Sequence, residues 1–426
     1  MQEMGDDRAN FREVLRIREF RALYLAQTLS VLGDQLARIA IAVIVFGRTS
    51  SATLTAVSYA VSYLPWIAGG PTLSSLADHL PRRTVMVCCD CSRALLIGVT
   101  ALHNCPTAGL IGLVAAVAVL QPPFTAARAA TIPEVVGEGA GYAAAATLTN
   151  ATLQVAVLSG FALGGVVIAA IGTSATVLAD ALTFVISAMI VARFVQSRPP
   201  VAPEKSAWRA DMRAGWTAVF QDHRLRRLVT ISWIVVGASI TTEAVAVPYA
   251  QAHGEGATTA GLLTASMPLG TAVGALILTR FESARLERAL PHIATAALLA
   301  LALTTANPTP PLAAAAWVFA GALSAITVFA NRVFVVAVPR EIRGRAFGVA
   351  AAGISGAQGI GTILVGLAAS RLSPAHSVGM VICAWLLLLM VANAKRLGSR
   401  SVNFAKISPE PLTTPSATPS CDLSAS

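Results

Sequence analysis

The stretch SVLGDQLARIAIAVIVFG, residues 30–47, places an acid and a base inside an otherwise apolar run. Asp34 and Arg38 fall on the same face of a helix as Gln27 and Ser30, so the four form one polar stripe. A charge at the centre of a membrane helix costs about 2.5–3.5 kcal/mol, and such a stripe therefore faces protein or a water-filled cavity. A carboxyl group at this depth can bind and release a proton, so Asp34 and Arg38 are candidates for a proton-coupling or substrate site.

A purely structural interpretation of the same two residues stays open. Asp34 and Arg38 are spaced i,i+4 and can neutralise each other as an ion pair. A permanent pair would keep Asp34 ionised and leave it a packing role only. The sharper hypothesis is a pair that breaks in one conformational state, when Asp34 takes up a proton.

Two further acids lie in apolar runs and are candidates for the same chemistry. Glu243, in VVGASITTEAVAVPYA, is expected closer to the outer side, either as a proton or cationic-substrate site or as a residue near the outer mouth. Asp180, in ADALTFVIS, is the weaker candidate, because its span is expected to be peripheral and the acid can serve as a simple hydrogen-bonding group. Smaller polar groups are candidates for the lining of a cavity or for packing between helices, namely Gln27, Tyr59, Tyr63, Trp66, Gln121, Asn150, Gln154, Ser324 and Gln358.

The composition is that of a polytopic membrane protein. Hydrophobic residues make up 55% of the 426 residues and charged residues 12%, with a mean hydropathy of +0.68. Soluble domains carry about 25% charged residues. The chain has no basic recognition helix or basic-aromatic patch, so its net charge of +10 does not predict a nucleic-acid partner. The six cysteines lack a disulfide or metal-site pattern, and we expect no metal and no cofactor.

Apolar runs long enough to cross a membrane predict an all-α protein with twelve transmembrane helices in two six-helix bundles. The predicted spans are 20–46, 51–76, 84–103, 107–128, 141–170, 174–196, 225–250, 258–280, 289–306, 311–336, 345–370 and 375–397. The predicted domains are a cytoplasmic N-terminus (1–19), an N-terminal bundle (20–196), a linker with an amphipathic helix (197–224), a C-terminal bundle (225–397) and a disordered cytoplasmic tail (398–426).

The positive charges predict the orientation in the membrane. Most of the 31 lysine and arginine residues fall in the termini and in the loops on the same side of the predicted spans. Only Arg48 and Arg371 fall in loops on the other side. Basic loops stay in the cytoplasm, so we expect a multi-pass protein of the inner (plasma) membrane with both termini cytoplasmic.

The segment GGPTLSSLADHLPRRTVMV resembles the signature loop between the second and third helices of the major facilitator superfamily. The family pattern is roughly G-x-x-x-D-R-x-G-R-R/K, which Asp78, Arg82 and Arg83 match. Three family positions differ here and carry Ser74, His79 and Pro81. The resemblance implies that Asp78 docks on the N-terminus of the eleventh span as an inner-gate latch, with Arg82 and Arg83 pairing with acids such as Asp90, which is followed by Arg93. A simple topology signal is the alternative for these charges.

A second motif, SGFALGG in the fifth span, resembles the antiporter motif G-P-x-x-G-G, with Phe161 in place of proline. This resemblance implies that Gly160, Gly164 and Gly165 lie between the two halves and help to seal the cavity. Over roughly residues 10–400 the chain resembles drug:proton antiporters that include macrolide-efflux and siderophore-export proteins. One departure is the fourth span, where only Arg128 is found, at the cytoplasmic end, so the proton-coupling role of a deep arginine is not carried over.

The resemblance implies a secondary active transporter with the major facilitator fold, not an enzyme. It would export a small amphiphilic compound, such as a drug, antibiotic or other natural product, in exchange for protons, as a monomer in the lipid bilayer. An importer or facilitator of a small metabolite with the same fold stays open. An integral-membrane enzyme is less favoured, because a metal motif such as DDxxD is missing from the sequence.

Overall fold

The protein is described by a computed structural model that covers residues 11–63, 65–66, 80–101, 105–137, 139–198, 208–339 and 342–400. Throughout these ranges the chain forms helices and turns and no β-strand. The first part of the chain contains α1 (Phe11–Arg16), α2 (Arg18–Thr49), α3 (Ala52–Ala60), α4 (Arg82–Thr100), α5 (Thr107–Val119), α6 (Gln121–Val136) and α7 (Ala140–Phe194).

The second part begins with α8 (Trp208–Gln221), the amphipathic helix expected in the linker. It continues with α9 (His223–Ala252), α10 (Ala257–Leu278), α11 (Ser283–Ala302), α12 (Pro310–Ser324), α13 (Ile326–Ala337), α14 (Arg343–Ala369) and α15 (Pro374–Arg400). Asp222 caps α9, because its carboxylate accepts hydrogen bonds from the backbone N–H groups of Arg224 and Leu225. A short 3₁₀-helix, Leu303–Ala306, follows α11.

Glycine and proline divide two of the long helical runs, one at the predicted boundary between the fifth and sixth spans and one inside the predicted fourth span, where no break was expected. Gly172 interrupts α7 with φ 82° and ψ 166°, a conformation that only glycine adopts without strain, so this 55-residue helix contains two spans. Pro122 and Pro123 lack the N–H groups that would continue α5, and the helix therefore ends at Val119 and restarts as α6.

The observed helices confirm the predicted all-α membrane fold. Within the described ranges, nine helical segments are long and apolar enough to cross a membrane, and the interrupted α7 counts once among them. The twelve predicted spans roughly fit the observed helices, although the second span is seen only in part, as α3 with Pro65 and Trp66.

The halves before and after residue 200 meet through close helix contacts near one face of the molecule. We call this face, where α2 ends at Thr49, the distal side, and the face where α2 begins the terminal side. A Cβ atom on Gly165 of α7 would lie 2.8 Å from the Cα atom of Thr258 in α10. On the other flank, the hydroxyl of Thr53 donates a hydrogen bond to the carbonyl of Gly366 in α14 at 2.6 Å. A glycine lies at each of these two helix contacts, and its lack of a side chain lets the helix backbones come close together.

Candidate transport site

A cavity of about 130 Å³ lies in the interior of the first half, between α2, the second span, α4, α5, α6 and α7. It brings together several residues singled out in the sequence, although they come from different spans: Asp34, Arg38, Trp66, Gln121 and Asp180. The remaining walls are mostly apolar, formed by Ala37, Ile41, Ser62, Ile97, Val114, Val117 and Ala118. The cavity therefore combines charged groups with a hydrophobic wall, as small-molecule sites do.

An ion pair connects this cavity to the second half of the chain. The Nη1 atom of Arg38 lies 3.3 Å from the Oε1 atom of Glu243 in α9. The side chains are 32% and 16% exposed, so the pair is sheltered without being sealed from solvent. The guanidinium group also lies over the ring of Tyr63, 5.8 Å from its centroid.

The i,i+4 pair of Asp34 with Arg38, which the spacing allows, is not the ion pair that Arg38 forms in this structure. Asp34 and Arg38 both line the cavity, but Arg38 forms its ion pair with Glu243, which is 205 residues away in the sequence. The physical reason is the crossing of α2 and α9, which brings a second carboxylate within reach of the guanidinium group. Glu243 is thus part of the same charged cluster as Asp34, rather than an isolated residue near the outer mouth.

A second ion pair lies deeper in the first half. Arg93 and Asp90 of α4 are 1% and 0% exposed, and their Nη1 and Oδ1 atoms are 3.4 Å apart. The second guanidinium nitrogen donates to the carbonyl of Leu120 at 2.7 Å, where the helix is broken by prolines. The hydroxyl of Ser187 donates to Asp90 at 2.6 Å. These contacts compensate the carboxylate and two nitrogens of the guanidinium group, while its buried Nε atom has no hydrogen-bond partner among the described residues.

These positions correct the latch proposed for Asp90 and Arg93. Arg82 pairs with Glu134 and donates to the carbonyl of Ala130 at 2.9 Å, and Arg83 donates to the carbonyl of Ala192. Neither basic residue pairs with Asp90, because Asp90 lies more than one helical turn into α4 and faces the interior. Asp78, the acid of the same motif, lies outside the described residues.

Asp180 is more central than the sequence indicated. Its side chain is 0% exposed and lines the same cavity as Asp34. A Cβ atom on Gly33 would collide with Asp180 and Thr183, so α7 packs directly against the backbone of α2 beside Asp34. The span itself has an exposed outer face, with Leu178, Leu182 and Met189, while its inner face packs Asp180 against α2. The glycine next to Asp34 is the signal that could have revealed this contact.

The remaining polar candidates differ in how far their side chains are buried. Tyr59 and Ser324 are buried, and the hydroxyl of Ser324 lies 3.4 Å from that of Ser239 on α9. Gln27 has a buried side-chain oxygen without a hydrogen-bond partner among the described residues. Asn150 and Gln154 are exposed on α7, and Gln358 is partly buried on α14. Of this group none lines the cavity of Asp34.

The three glycines of the antiporter-like motif divide between two interfaces. Gly160 packs against Leu32 and Gln35 of α2, and a Cβ atom on Gly164 would lie 2.9 Å from Ile39. Only Gly165 faces α10 of the other half. The prediction that all three glycines lie between the halves is therefore corrected, since two of them bring α7 close to the helix that carries Asp34.

Sequence reasoning missed a cluster of ion pairs on the terminal side. Arg198 bonds both carboxylate oxygens of Glu19, at 2.6 and 2.9 Å, and its Nε atom lies 3.5 Å from Glu134. Glu134 also pairs with Arg82. The hydrogen bond with Glu19 raises the pKa of Arg198 above its ordinary value. The cluster joins the ends of α2, α4, α6 and α7 on the terminal side. Among the described residues, no group of three potential ligands could hold a metal ion.

Solved structures of membrane transporters share this fold. A bacterial homologue of the human lysosomal transporter Spinster, in an inward-facing and occupied conformation, has 16% sequence identity and a TM-score of 0.66, and the match covers 92% of this chain and 98% of that one. The nucleoside transporter NupG has 13% identity and a TM-score of 0.65, over 91% of this chain and 100% of its own. A POT family transporter in complex with a thioalcohol conjugated peptide has 9% identity and a TM-score of 0.68, over 91% and 97%.

The family model that matches this chain, together with the shared fold, identifies a membrane transporter of the major facilitator type. Its family is narrower: the chain belongs to the family described as transmembrane secretion effector, whose model matches residues 12–418. A comparison with curated proteins gives no match.

Proposed function

We propose that this transporter exports a small amphiphilic compound in exchange for protons, by alternating access. The observation that carries the proposal is the Arg38–Glu243 ion pair of 3.3 Å, which joins the two halves beside the cavity that Asp34 lines. An ion pair between two moving bodies depends on the ionisation of its acid. A proton on Glu243 removes the attraction for Arg38, so protonation and separation of the halves become linked.

The lining of the cavity supports an amphiphilic substrate. Ile41, Ile97 and Val117 offer an apolar surface, while Gln121 and Asp34 offer polar contacts. Trp66 adds an aromatic face to the same lining. A drug, an antibiotic or another natural product with one polar end matches this combination. The family description, which names secretion, supports outward rather than inward movement.

The contacts between the halves support the direction in which the site opens. Gly165 against Thr258 and Thr53 against Gly366 hold α7 to α10 and α3 to α14 on the distal side. With these contacts made, we expect a substrate to reach the site from the terminal side. Rocking the halves apart at these contacts would then open the site to the distal side.

The proposed location is the plasma membrane, with the terminal side and both termini in the cytoplasm and the chain acting as a monomer. The basic residues support this orientation, because Arg82, Arg198 and Arg224 all lie on the terminal side. The compound would therefore enter from the cytoplasm or the inner leaflet and leave on the outside.

Transport into inside-out membrane vesicles tests the proposal. In such vesicles, export fills the lumen, so acidification of the lumen should drive accumulation of a fluorescent lipophilic antibiotic. Glu243→Gln should lose this accumulation by about tenfold or more, since loss of the charged hydrogen bond to Arg38 is worth roughly 1.4 kcal/mol or above. Glu255→Gln, a change of an exposed glutamate in the distal loop between α9 and α10, is the matched control and should behave as wild type.

Accumulation that does not respond to an acidic lumen or to a protonophore would contradict proton exchange. Net uptake by right-side-out vesicles, with none by inside-out vesicles, would favour an importer. One antibiotic does not represent all amphiphilic compounds. The transport assay is therefore repeated with several lipophilic antibiotics and siderophore-like compounds, and absence of transport for all of them would contradict export.

A further inference from the structure

Asp180 is the least compensated acid of the cavity. It is fully buried, and its Oδ1 atom accepts one hydrogen bond, from Thr183, at 3.3 Å. Its Oδ2 atom is buried and has no hydrogen-bond partner in the part of the chain that is described. A buried carboxylate without a partner is costly, and removal of its charge by a proton is the simplest remedy.

Asp90 shows how the same fold provides partners for a buried acid. It is equally buried, but it has the guanidinium group of Arg93 at 3.4 Å and the hydroxyl of Ser187 at 2.6 Å. Arg93 is held in turn by the carbonyl of Leu120 and by the rings of Phe124 and Phe184. Its ion pair is therefore with Asp90, although its charge also acts on Asp34 and Asp180.

The charged groups around Asp180 come from two helices. On α2 lie Asp34, which acts electrostatically on Asp180, and Arg38, which lines the same cavity and is paired with Glu243. From α4 it meets Arg93, which is paired with Asp90. The neighbouring groups from α6 and from its own helix, Gln121 and Thr183, are uncharged.

The charge balance of this region leaves acids in excess. The charged groups named here are four carboxyl groups (Asp34, Asp90, Asp180 and Glu243) and two guanidinium groups (Arg38 and Arg93). Each guanidinium group forms its ion pair with another carboxylate, so in the described part of the chain Asp34 and Asp180 are the two acids of this cluster without an ion pair. Asp34 has a hydrogen bond from the side chain of Gln121 and lies within the field of both guanidinium groups. Two carboxylates that share a low-dielectric site do not both ionise.

We propose that Asp34 and Asp180 share one proton across the cavity, which makes Asp180 a second proton-binding residue of the transport site. The O–H group of one acid donates to the carboxylate of the other, and the unpartnered Oδ2 atom of Asp180 is the free position for this bond. Release breaks the O–H bond when the cavity opens to water, and the proton passes to that water, so that both acids become carboxylates only in the hydrated site. This inference rests on the proposed proton exchange, because it concerns the same site.

Infrared spectroscopy of the full chain in lipid, without substrate, tests the pair. A protonated carboxyl group gives a C=O band that a carboxylate lacks, and ¹³C-labelled aspartate shifts the bands of aspartates but not of glutamates. We expect an aspartic-acid band at neutral pH in the wild type. Asp180→Asn should remove it, because Asp34 then lies near Arg38 and Arg93 without a second unpaired acid. Asp34→Asn should leave the proton on the buried Asp180 but shift the band to higher wavenumber, because the O–H group loses its carboxylate acceptor. An unshifted band in Asp34→Asn would contradict the pair. Asp222→Asn, at the exposed cap of α9, should keep the wild-type band.

Two further results would contradict a proton shared by Asp34 and Asp180. A band of wild-type size in Asp180→Asn, or no aspartic-acid band in the labelled wild type, would overturn the pair. The wild-type measurement needs no variant, so it remains valid even if a substitution prevents folding; thermal unfolding checks the variants themselves. Failure of the proposed function has another signature, namely substrate transport by the wild type without proton movement, and the band would then still be present.

Discussion

The two halves of the molecule differ in how they use buried polarity. The first half buries Asp90, Arg93 and Asp180 completely and adds Asp34 and Arg38 around one cavity. In the second half, the largest fully buried polar side chains are neutral, and each has a partner: the indole of Trp317 donates to Thr304 at 2.8 Å, and the hydroxyl of Tyr249 to the carbonyl of Pro308 at 2.6 Å.

This difference indicates that the two halves have different roles in the molecule. Charges that can gain or lose protons are concentrated in the first half, whereas the second half is a packed scaffold that contributes Glu243 to the shared cluster. Movement of one half relative to the other needs such a contact, because protonation in the first half must change an interaction with the second half. Substitutions in the interior of the first half, at the contacts between the halves and on the terminal side should therefore have different effects.

The largest effect is expected from Arg93→Met. The variant leaves Asp90 buried without its cation, and loss of one partner of a buried pair costs about 3–5 kcal/mol. Denaturation of the purified protein in detergent measures the change. Arg285→Met is the matched control, because the Arg285–Glu282 pair is 71% exposed on both sides and such pairs contribute about 0–1 kcal/mol. Equal stability of the two variants would contradict the assignment of a compensating role to Arg93.

A smaller effect is expected from Gly165→Leu, which introduces a side chain where α7 touches Thr258. Overpacking at a close contact costs about 1–3 kcal/mol, and here the cost falls on the state with the distal contacts made. Spin labels at Ser50 and Arg371, exposed residues of opposite halves, would report a longer distance in a variant whose native cysteines are replaced. Gly112→Leu, at a glycine with open space around it, should leave the distance unchanged.

The Arg38–Glu243 pair should contribute less, because both side chains are partly exposed. A double-mutant cycle with Arg38→Met and Glu243→Gln should give a coupling of about 0.5–3 kcal/mol in the equilibrium between distal-closed and distal-open states, read by the same labels. Each single variant should open the distal side to the same extent as the double variant. Strictly additive effects would mean that the two halves are not joined by this pair.

The smallest effect is expected on the terminal side. Glu19→Gln removes a partner of Arg198, which is 26% exposed, so the stability should fall by about 0.2–1 kcal/mol. The loss should shrink as salt is raised, because exposed charges are screened. Unfolding at low and high ionic strength measures this dependence. A loss as large as that of Arg93→Met would show that this cluster, rather than the interior one, supports the first half.

The sequence predicted local features better than contacts over long distances. Apolar length, Gly172 and the proline pair 122–123 determine where helices begin and end, and these are properties of neighbouring residues. The pairing of Arg38 with Glu243 depends on how α2 and α9 cross, which no local pattern encodes. The same is true of Asp180, whose central position follows from the packing of α7 against Gly33. The sequence thus identified Arg38, Glu243 and Asp180 as candidate site residues, but it did not identify the residues that they contact.

The most direct test of the account is substrate-dependent proton movement in proteoliposomes that contain the wild type, Asp34→Asn or the control Asp222→Asn. The account predicts that the wild type and the control move protons when substrate is added. Asp34→Asn should bind substrate and remain folded but lose the proton movement. Normal substrate transport against a proton gradient by Asp34→Asn would contradict the account and leave Asp34 a structural role.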